Sequence, residues 1–523
     1  MLLLLNLKAV LIFGGGFQNT MKKLTELAAD LEAEKAEYSK LNWTLYTTGY
    51  DFGVEGSYGK IMEIMKDKEN FGLIESYIEQ DLSEKDERRV EILHNGFKPF
   101  HLTEELNALD LKIQQQTNEL LKILNSFRYQ LDGKEVSAVE LAQVLSMDSD
   151  REKRKQAYFA RNQINALMVD NGFIDLINLR KEYAKQSGAE SFVAHKLEAN
   201  ELDKGIFDSW QSELQEILPQ MKEGRRKFAQ EFLGEDEIMP WDEQFIQSQI
   251  APSLNETVDM SEYHTNIREL FNEFGIDIAS MNITYDIFPR ANKSEWGYNF
   301  TVETGKDSRI LANVKNKYFE YGVLLHETGH GVHSFLLDPE EKILNEGVSG
   351  IISEGIANLF QGFLYSPAFY GKFFEDVEKV GEEFARLKEY QKLNSLRSIS
   401  RIFFDHSLYK NDIASLDDIH NLYWENQMTV LEEGALDQAP PWAYMIHFTT
   451  HPIYLHNYFM GDVTCAMLEK VFKEKYGTEI LEQPKKFGEF LQNEVIKPSG
   501  TYKYKDLFKR ISGRDFSLKY LLD

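Results

Sequence analysis

The 523-residue sequence predicts a mainly α-helical fold with one small β-sheet, on three observations. From Met21 to about Phe232, apolar residues recur three and four apart with Glu or Lys between them, the period of helices that bury one face. Between Asn282 and Val314, Ile283, Tyr285, Ile287, Tyr298, Phe300 and Val302 alternate with other residues and Gly305 supplies a turn, the pattern of strands. Downstream the helical period returns and holds to the C-terminus.

Taken in order, residues 1–20 form an apolar leader of uncertain status. Leu2 to Phe13 is apolar but for Asn6 and Lys8, and Gly14, Gly15 and Gly16 follow. The run is too short to span a bilayer, so no stable membrane insertion is expected. It also lacks the leading positive charge and small-residue cleavage site of a secretory signal. Export through it stands as the alternative to a cytoplasmic location, and Met21 as the alternative start. Residues 21–232 read as an N-terminal helical lobe. Within it, Asp148, Ser149 and Asp150 offer an N-cap ahead of a helix from Arg151 to Met168, which Asp170, Asn171 and Gly172 close. Gly234, Pro240 and Pro252 mark a crossing into a second lobe, residues 233–523, and both lobes are expected to form one unit.

Composition narrows the partners. Apolar residues at 42% and charged residues at 27%, without a biased tract, exclude a disordered or fibrous chain. With 58 basic against 85 acidic side chains, the net charge of −27 excludes nucleic acid as an expected partner, because that binding needs Lys and Arg to displace counterions. One cysteine, Cys465, rules out an intramolecular disulfide and fits a reducing compartment.

Half of the twelve histidines fall in two windows, His326, His330 and His333 in one and His447, His451 and His456 in the other. The first reads His326-Glu327-Thr328-Gly329-His330 in an apolar helical segment, an HExxH motif that chance would place about 0.03 times in a chain this long. Two His four apart share a helix face, so both imidazoles reach one Zn²⁺ while Glu327 holds the water at the metal. Gly329 and Gly331 each cost a helix interior about 1 kcal/mol against Ala, which predicts close approach of a neighbouring strand or ligand. A third ligand is needed, and Glu346 and Glu354 are the candidates. Eight residues apart, they would lie about 80° apart on one helix. Glu354 is preferred, because Ile351, Ile352, Ile356, Leu359 and Phe360 around it mark an inward face. Cys465 and His333 are read as structural, the latter as a hydrogen-bonding residue.

These residues resemble the gluzincin metallopeptidases, specifically the oligoendopeptidase F and thimet oligopeptidase family, with further similarity to angiotensin-converting-enzyme-like peptidyl dipeptidases. HETGH followed by His333, Ser334 and Glu354 carries the resemblance. Upstream, Gly305 to Ile310 resembles the GKDxRI stretch of the converting enzyme. Downstream, His447-Phe448, Pro452-Ile453-Tyr454, Tyr458 and Gly461 resemble the oligoendopeptidase pattern. Weaker similarity covers Arg151 to Ala160, Arg180 to Ala184 and Ile511 to Tyr520. The resemblance implies two helical lobes around a deep substrate channel with zinc on its floor. It implies that a strand carrying Trp296 and Tyr298 lines the channel and pairs with an extended peptide, and that His447, His451, Tyr454 and Tyr458 come from the opposite wall. Tyr458 is expected to stabilise the oxyanion. Where the converting enzyme has Asp four positions after the third ligand, this sequence has Asn358, which points toward the oligoendopeptidases.

The expected function is zinc-dependent hydrolysis of internal bonds in short peptides, with Zn²⁺ on His326, His330 and Glu354 and with Glu327 as general base and then general acid. The alternatives are a peptidyl dipeptidase or carboxypeptidase of the same clan, which needs a cation for the substrate's free carboxylate, and a catalytically inactive peptide-binding protein. No Lys or Arg lies between His447 and Tyr458, which favours internal cleavage, and the intact Glu327 argues against a mere binder.

Overall fold

The computed structural model describes residues 5–294 and 297–522, with side chains from residue 21. The chain is dominated by helices. Leu5–Thr48 (α1) leads into a helical region whose apolar faces, including Leu24, Leu31, Ile61, Ile74, Leu93 and Phe97, form a small core of their own. Ile343 and Leu344 close that core from far along the chain. Arg88 joins it to the rest through an ion pair with Glu201, and Lys503 does so through Glu91. A second, larger core gathers residues from Leu120 to Leu521 and runs across the composition change near residue 233.

Arg151–Ala160 (α2) starts where Asp150 accepts hydrogen bonds from the backbone N–H groups of Glu152 and Lys153. The single helix expected as far as Met168 is instead broken, tightening to a 3₁₀ turn at Arg161–Ile164 before Asn165–Asp170 resumes. The break follows from tertiary bonds: buried Asn165 donates to Pro440 O at 2.8 Å and accepts from Ala443 N. Trp210–Leu233 (α3) then buries Trp210, Leu214, Leu218 and Met221 along one stripe.

Two sheets are present where the sequence reading anticipated one. Tyr129–Leu131 (β1) and Lys134–Val136 (β2) form an antiparallel hairpin inside the helical region. Its turn, Asp132-Gly133, has φ of 52° and 71°, the Asp-Gly hairpin signal. The expected sheet comprises Ile283–Asp286 (β3), Tyr298–Glu303 (β4) and Asp307–Leu311 (β5), in the order β3-β5-β4. β3 runs parallel to β5 and β4 antiparallel to it, Gly305 turning the hairpin at φ 74°. Rings of Trp43 and Tyr46 on α1 pack edge-on against Phe300, and Tyr46 also against Tyr298, covering one face of β4.

The other face receives Tyr321–Leu336 (α4), the helix that carries HExxH. Gly350–Gly362 (α5) packs on α4. Farther on lie Glu378–Lys410 (α6), Leu416–Leu431 (α7) and Leu455–Tyr476 (α8), the last of which packs on α5. The glycines expected to permit close approach do so. A Cβ at Gly329 would stand 3.0 Å from Ala357 Cα on α5, and one at Gly331 would stand 3.2 Å from Ser308 Oγ on β5. α4 is thus wedged between a helix and a sheet at two of its three glycines. Among the described residues, no helix is long and apolar enough to cross a membrane.

Candidate metal centre

Helical geometry puts His326 and His330 one turn apart on α4, ring centroids 4.9 Å apart and planes at 85°. Close packing of α5 brings Glu354 between them. His326 Nε2 lies 3.7 Å from Glu354 Oε2, and His330 Nε2 lies 3.7 Å from Glu354 Oε1. Among the described residues these three are the one group of His, Cys, Asp or Glu side chains whose ligand atoms all lie within 4.8 Å of one another. Glu346, the other candidate, faces elsewhere and pairs with Lys35 at 2.7 Å.

The Nδ1 atoms fix the imidazoles. His326 Nδ1 lies 3.1 Å from Gln361 Oε1 and His330 Nδ1 lies 2.9 Å from Ser353 Oγ, both on α5. An imidazole that donates through Nδ1 keeps its Nε2 lone pair for a metal. Burial holds both rings neutral, lowering the pKa of His326 and taking that of His330 down to about 3, with the neighbouring His326 and His333 adding to the effect on His330. Two neutral imidazoles and a carboxylate are a catalytic zinc set with a position left over. Around a tetrahedral zinc with bonds of 2.0–2.1 Å, ligand atoms stand roughly 3.3 Å apart, close to the 3.7 Å separations here. The residues fit the ion.

Glu327 projects from α4 beside this group. Its carboxyl is buried and pushed up to about 7, first by burial and second by the charge of Glu354. Glu354 is itself raised, by burial and then by Asp462. His326, Glu327, His330, Glu354, Tyr458 and Asn299 of β4 line a common groove of about 620 Å³. Asn299 Nδ2 donates to Glu327 O at 3.3 Å and to Ser308 Oγ at 2.9 Å, tying the strand to the helix.

The second histidine window forms a ring of rings. Successive centroids are 6.1 Å from His447 to His451, 6.1 Å from His451 to Tyr454, 5.5 Å from Tyr454 to Tyr458 and 5.7 Å from Tyr458 back to His447. Tyr458 is 46% exposed, so its hydroxyl is available to a ligand in the groove. Its pKa is raised by burial, then by Tyr454 and Glu354. Tyr298 lines the groove, with its ring against Tyr46. Trp296 lies outside the described residues. His456 turns away from the quartet into the core, neither ring nitrogen having a hydrogen-bond partner among the described residues. His333 is also buried, without a partner for Nε2 among the described residues, so the hydrogen bond expected of it is not made there at that atom.

Asn358, four positions after Glu354, donates Nδ2 to Asp462 Oδ1 at 3.1 Å, while Gln361 takes the closer contact with His326 Nδ1. Several other contributors escaped the sequence reading, Gln361 among them. Asp462 also accepts from Ser395 Oγ on α6 at 2.6 Å. Gln361 lies seven residues after Glu354, two turns along the same face, which is the signal that was there to be read. Ile453 adopts φ 56°, a strained state for a β-branched residue, and Asp405 Oδ2 holds its N–H at 2.7 Å. Arg180 Nη2 donates to Thr449 O at 2.5 Å. These two buried groups shape the segment that presents His447 to Tyr458.

Comparison with known proteins agrees with this geometry. The model of peptidase family M3 matches residues 144–523. No curated protein matches the chain. Solved structures of similar fold include the M32 carboxypeptidase from Deinococcus radiodurans R1, at 14% identity, 96% coverage of this chain and 97% of that one, with a TM-score of 0.67. A carboxypeptidase from Pyrococcus furiosus matches at 15% identity, 96% and 97% coverage and a TM-score of 0.65. PZ peptidase A, solved with an inhibitor, matches at 15% identity, 96% and 94% coverage and a TM-score of 0.68. At such identities the likeness establishes the fold, and the family match, which covers well over half of the sequence, establishes the rest: the chain is a metallopeptidase that belongs to peptidase family M3.

Proposed function

We propose that this metallopeptidase is a zinc-dependent oligopeptidase that hydrolyses internal bonds of short peptides, its lobes 21–232 and 233–523 acting as one unit in a reducing cytoplasm. The observation that carries the reading is the convergence of His326 Nε2 and His330 Nε2 on Glu354, with the raised carboxyl of Glu327 in the same groove. When bound, zinc supplies a Lewis acid that polarises a scissile carbonyl and makes a water easier to deprotonate. Everything else is the chain's own work. Glu327 takes a proton from the attacking water and passes it to the leaving amine. A carboxyl pushed to about 7 suits both transfers near neutral pH, and a divalent cation nearby opposes that shift. Tyr458 donates its hydroxyl to the oxyanion, a contact typically worth about 2.7–4 kcal/mol. His447 and Tyr454 hold the Tyr458 ring. These two and His451 offer imidazole and phenol groups to the peptide, Tyr298 contributes from the strand side, and Trp296 is a further peptide-binding residue. The shared core across residue 233 supports a single catalytic unit.

A second reading, cleavage from a free C-terminus, has its own support. The missing cation need not come from the His447–Tyr458 segment, because Arg180 and Lys196 lie near enough to His451 to lower its pKa, after burial. Neighbours in fold that are carboxypeptidases add weight. The test is cleavage of internally quenched peptides with free and blocked C-termini by the wild type and by Glu327→Gln, with bound zinc measured in both. Cleavage of blocked peptides by the wild type alone, zinc being retained in both, is the expected result. Cleavage of free-ended peptides only would replace it with the second reading, and zinc without cleavage by either protein would overturn both.

A further inference from the structure

Helical geometry carries the floor of the groove past the candidate metal site. His326 and His330 share one face of α4, and Ser334 and Leu337, four and seven residues beyond His330, continue it; all four line the groove. At about 1.5 Å per helical residue, Ser334 lies about 6 Å along from His330, the advance of about two residues of an extended peptide. The walls follow the floor. β4 runs alongside α4 in the same direction, since a Cβ at Gly297 would stand 2.9 Å from Val323 Cγ2, Asn299 bonds Glu327 O, and a Cβ at Gly305 would stand 3.1 Å from Pro339 Cβ. Thr301 and Thr304, which also line the groove, therefore come level with Ser334 and Leu337. α5 runs the opposite way, Gln361 meeting His326 and Ser353 meeting His330, so Gly350 and Val348 reach the same end from the other side.

Packing does not account for Gly350. Gly329 and Gly355 sit where helices press together, a Cβ at Gly355 standing 2.7 Å from Thr464 Cγ2, whereas a Cβ at Gly350 would meet no atom within 4 Å. Nor is its φ left-handed. Gly350 opens α5 three and four residues ahead of Ser353 and Glu354, so its missing side chain belongs to the face that those two turn toward His330. What the glycine leaves is open groove. Among the described residues lining that groove, the carboxyls are Glu327 and Glu354, both at the metal site, and there is no Lys or Arg. The end beyond Ser334 thus offers hydroxyls from Ser334, Thr301 and Thr304 beside apolar Leu337 and Val348, and no charge.

We propose that this end of the groove is a side-chain pocket for a large uncharged residue of the peptide substrate, and that Gly350 sets how large. The inference rests on the reading that the groove holds the peptide. A charged side chain would shed water there without meeting an opposite charge, which opposes its binding. A Leu or Phe side chain would bury apolar surface against Leu337 and Val348, each further methylene being worth about fourfold in affinity.

Internally quenched peptides that differ only in carrying Ala, Leu, Phe, Lys or Glu at each residue within two of the scissile bond test it, with kcat/KM for the full-length protein as the readout. At one of these positions Leu and Phe are expected to exceed Ala at least about tenfold, and Lys and Glu by more. Gly350→Leu, which fills the open space, is expected to cut the Leu-to-Ala and Phe-to-Ala ratios at that position at least about tenfold, and Gly350→Ala to cut them by less. A wild type that at every position cuts Lys or Glu peptides as fast as Leu peptides would overturn the proposal whether or not the variants fold. Ratios that Gly350→Leu leaves as they were would overturn it too. Affinities of the same peptides for zinc-loaded Glu327→Gln, with and without Gly350→Leu, give the ratios without turnover. Selective binding lost in the double variant, with no cleavage by any protein, would confirm the pocket and overturn the hydrolytic reading, while cleavage with no preference at any position would do the reverse.

Discussion

Gly329 couples the packing of the HExxH helix to the position of Glu354, and Gly329→Ala tests that coupling. The added Cβ would stand 3.0 Å from Ala357 Cα, 3.2 Å from Phe360 Cδ2 and 3.4 Å from Phe360 Cβ. Carbon atoms rest at about 3.5–4.0 Å, so α4 and α5 must part by roughly 0.5 Å, and a backbone atom cannot swing aside as a side chain can. Overpacking of this kind costs about 1–3 kcal/mol, while Ala in place of Gly returns about 1 kcal/mol of helix propensity. The net expectation is a loss of about 0–2 kcal/mol in the metal-free protein, read from urea unfolding. Metal affinity tells more. Parting the helices moves Glu354, Ser353 and Gln361 together away from His326 and His330, so zinc affinity by chelator competition is expected to fall at least about tenfold. Gly72→Ala, in helix Lys68–Ile78 with no atom within 4 Å of the new Cβ, is the control and is expected to gain about 0.5–1 kcal/mol. A Gly329→Ala variant as stable as this control and with unchanged zinc affinity would refute the argument.

Tyr458→Phe is expected to lower kcat by about 10²–10³ with little change in KM, because the hydroxyl is called on only as the oxyanion forms. Steady-state kinetics on one quenched peptide decides it. Removing the His326 Nδ1 partner in Gln361→Ala is expected to weaken zinc by about 10–100-fold while the unfolding midpoint of the metal-free protein stays nearly the same. Asp405 gives a pH signature. Burial pushes its carboxyl up to about 7 from 3.8, so between about pH 4 and 7 the folded chain holds a proton that the unfolded chain has lost. That contribution favours folding below about pH 4 and is lost as the pH rises through 7. Asp405→Asn keeps an acceptor for Ile453 N–H and cannot titrate, so its stability relative to the wild type is expected to rise from pH 4 to 8 in urea unfolding; a pH-independent difference would contradict the assignment.

Much was legible from the chain alone, for a local reason. The i, i+4 spacing of His326 and His330 becomes a shared face as soon as the segment is helical, and the apolar residues around Glu354 announce an inward-facing carboxylate before any partner is known. The alternation between Ile283 and Val302 and the turn at Gly305 are equally local. The Asp132-Gly133 hairpin carries an equally local turn signal, set within a long helical period. The break after α2 was not legible, because it depends on Asn165 finding Pro440 O and Ala443 N, about 275 residues away.

What the sequence by itself determined, then, is the mainly helical class, the HExxH helix and the type of chemistry that helix can host, since each rests on side chains a few residues apart with their relation set by backbone geometry. Tertiary structure alone decided the rest. Lys35, 311 residues upstream, pairs with Glu346, while the packing of α5 on α4 sets Glu354 beside His326 and His330. Gln361 rather than Asn358 takes the closer place beside His326, and Asp462 with Ser395 completes the layer behind, because α5, α6 and α8 meet there. Such contacts depend on where helices cross, and a crossing is fixed by the whole packed core rather than by any segment of it.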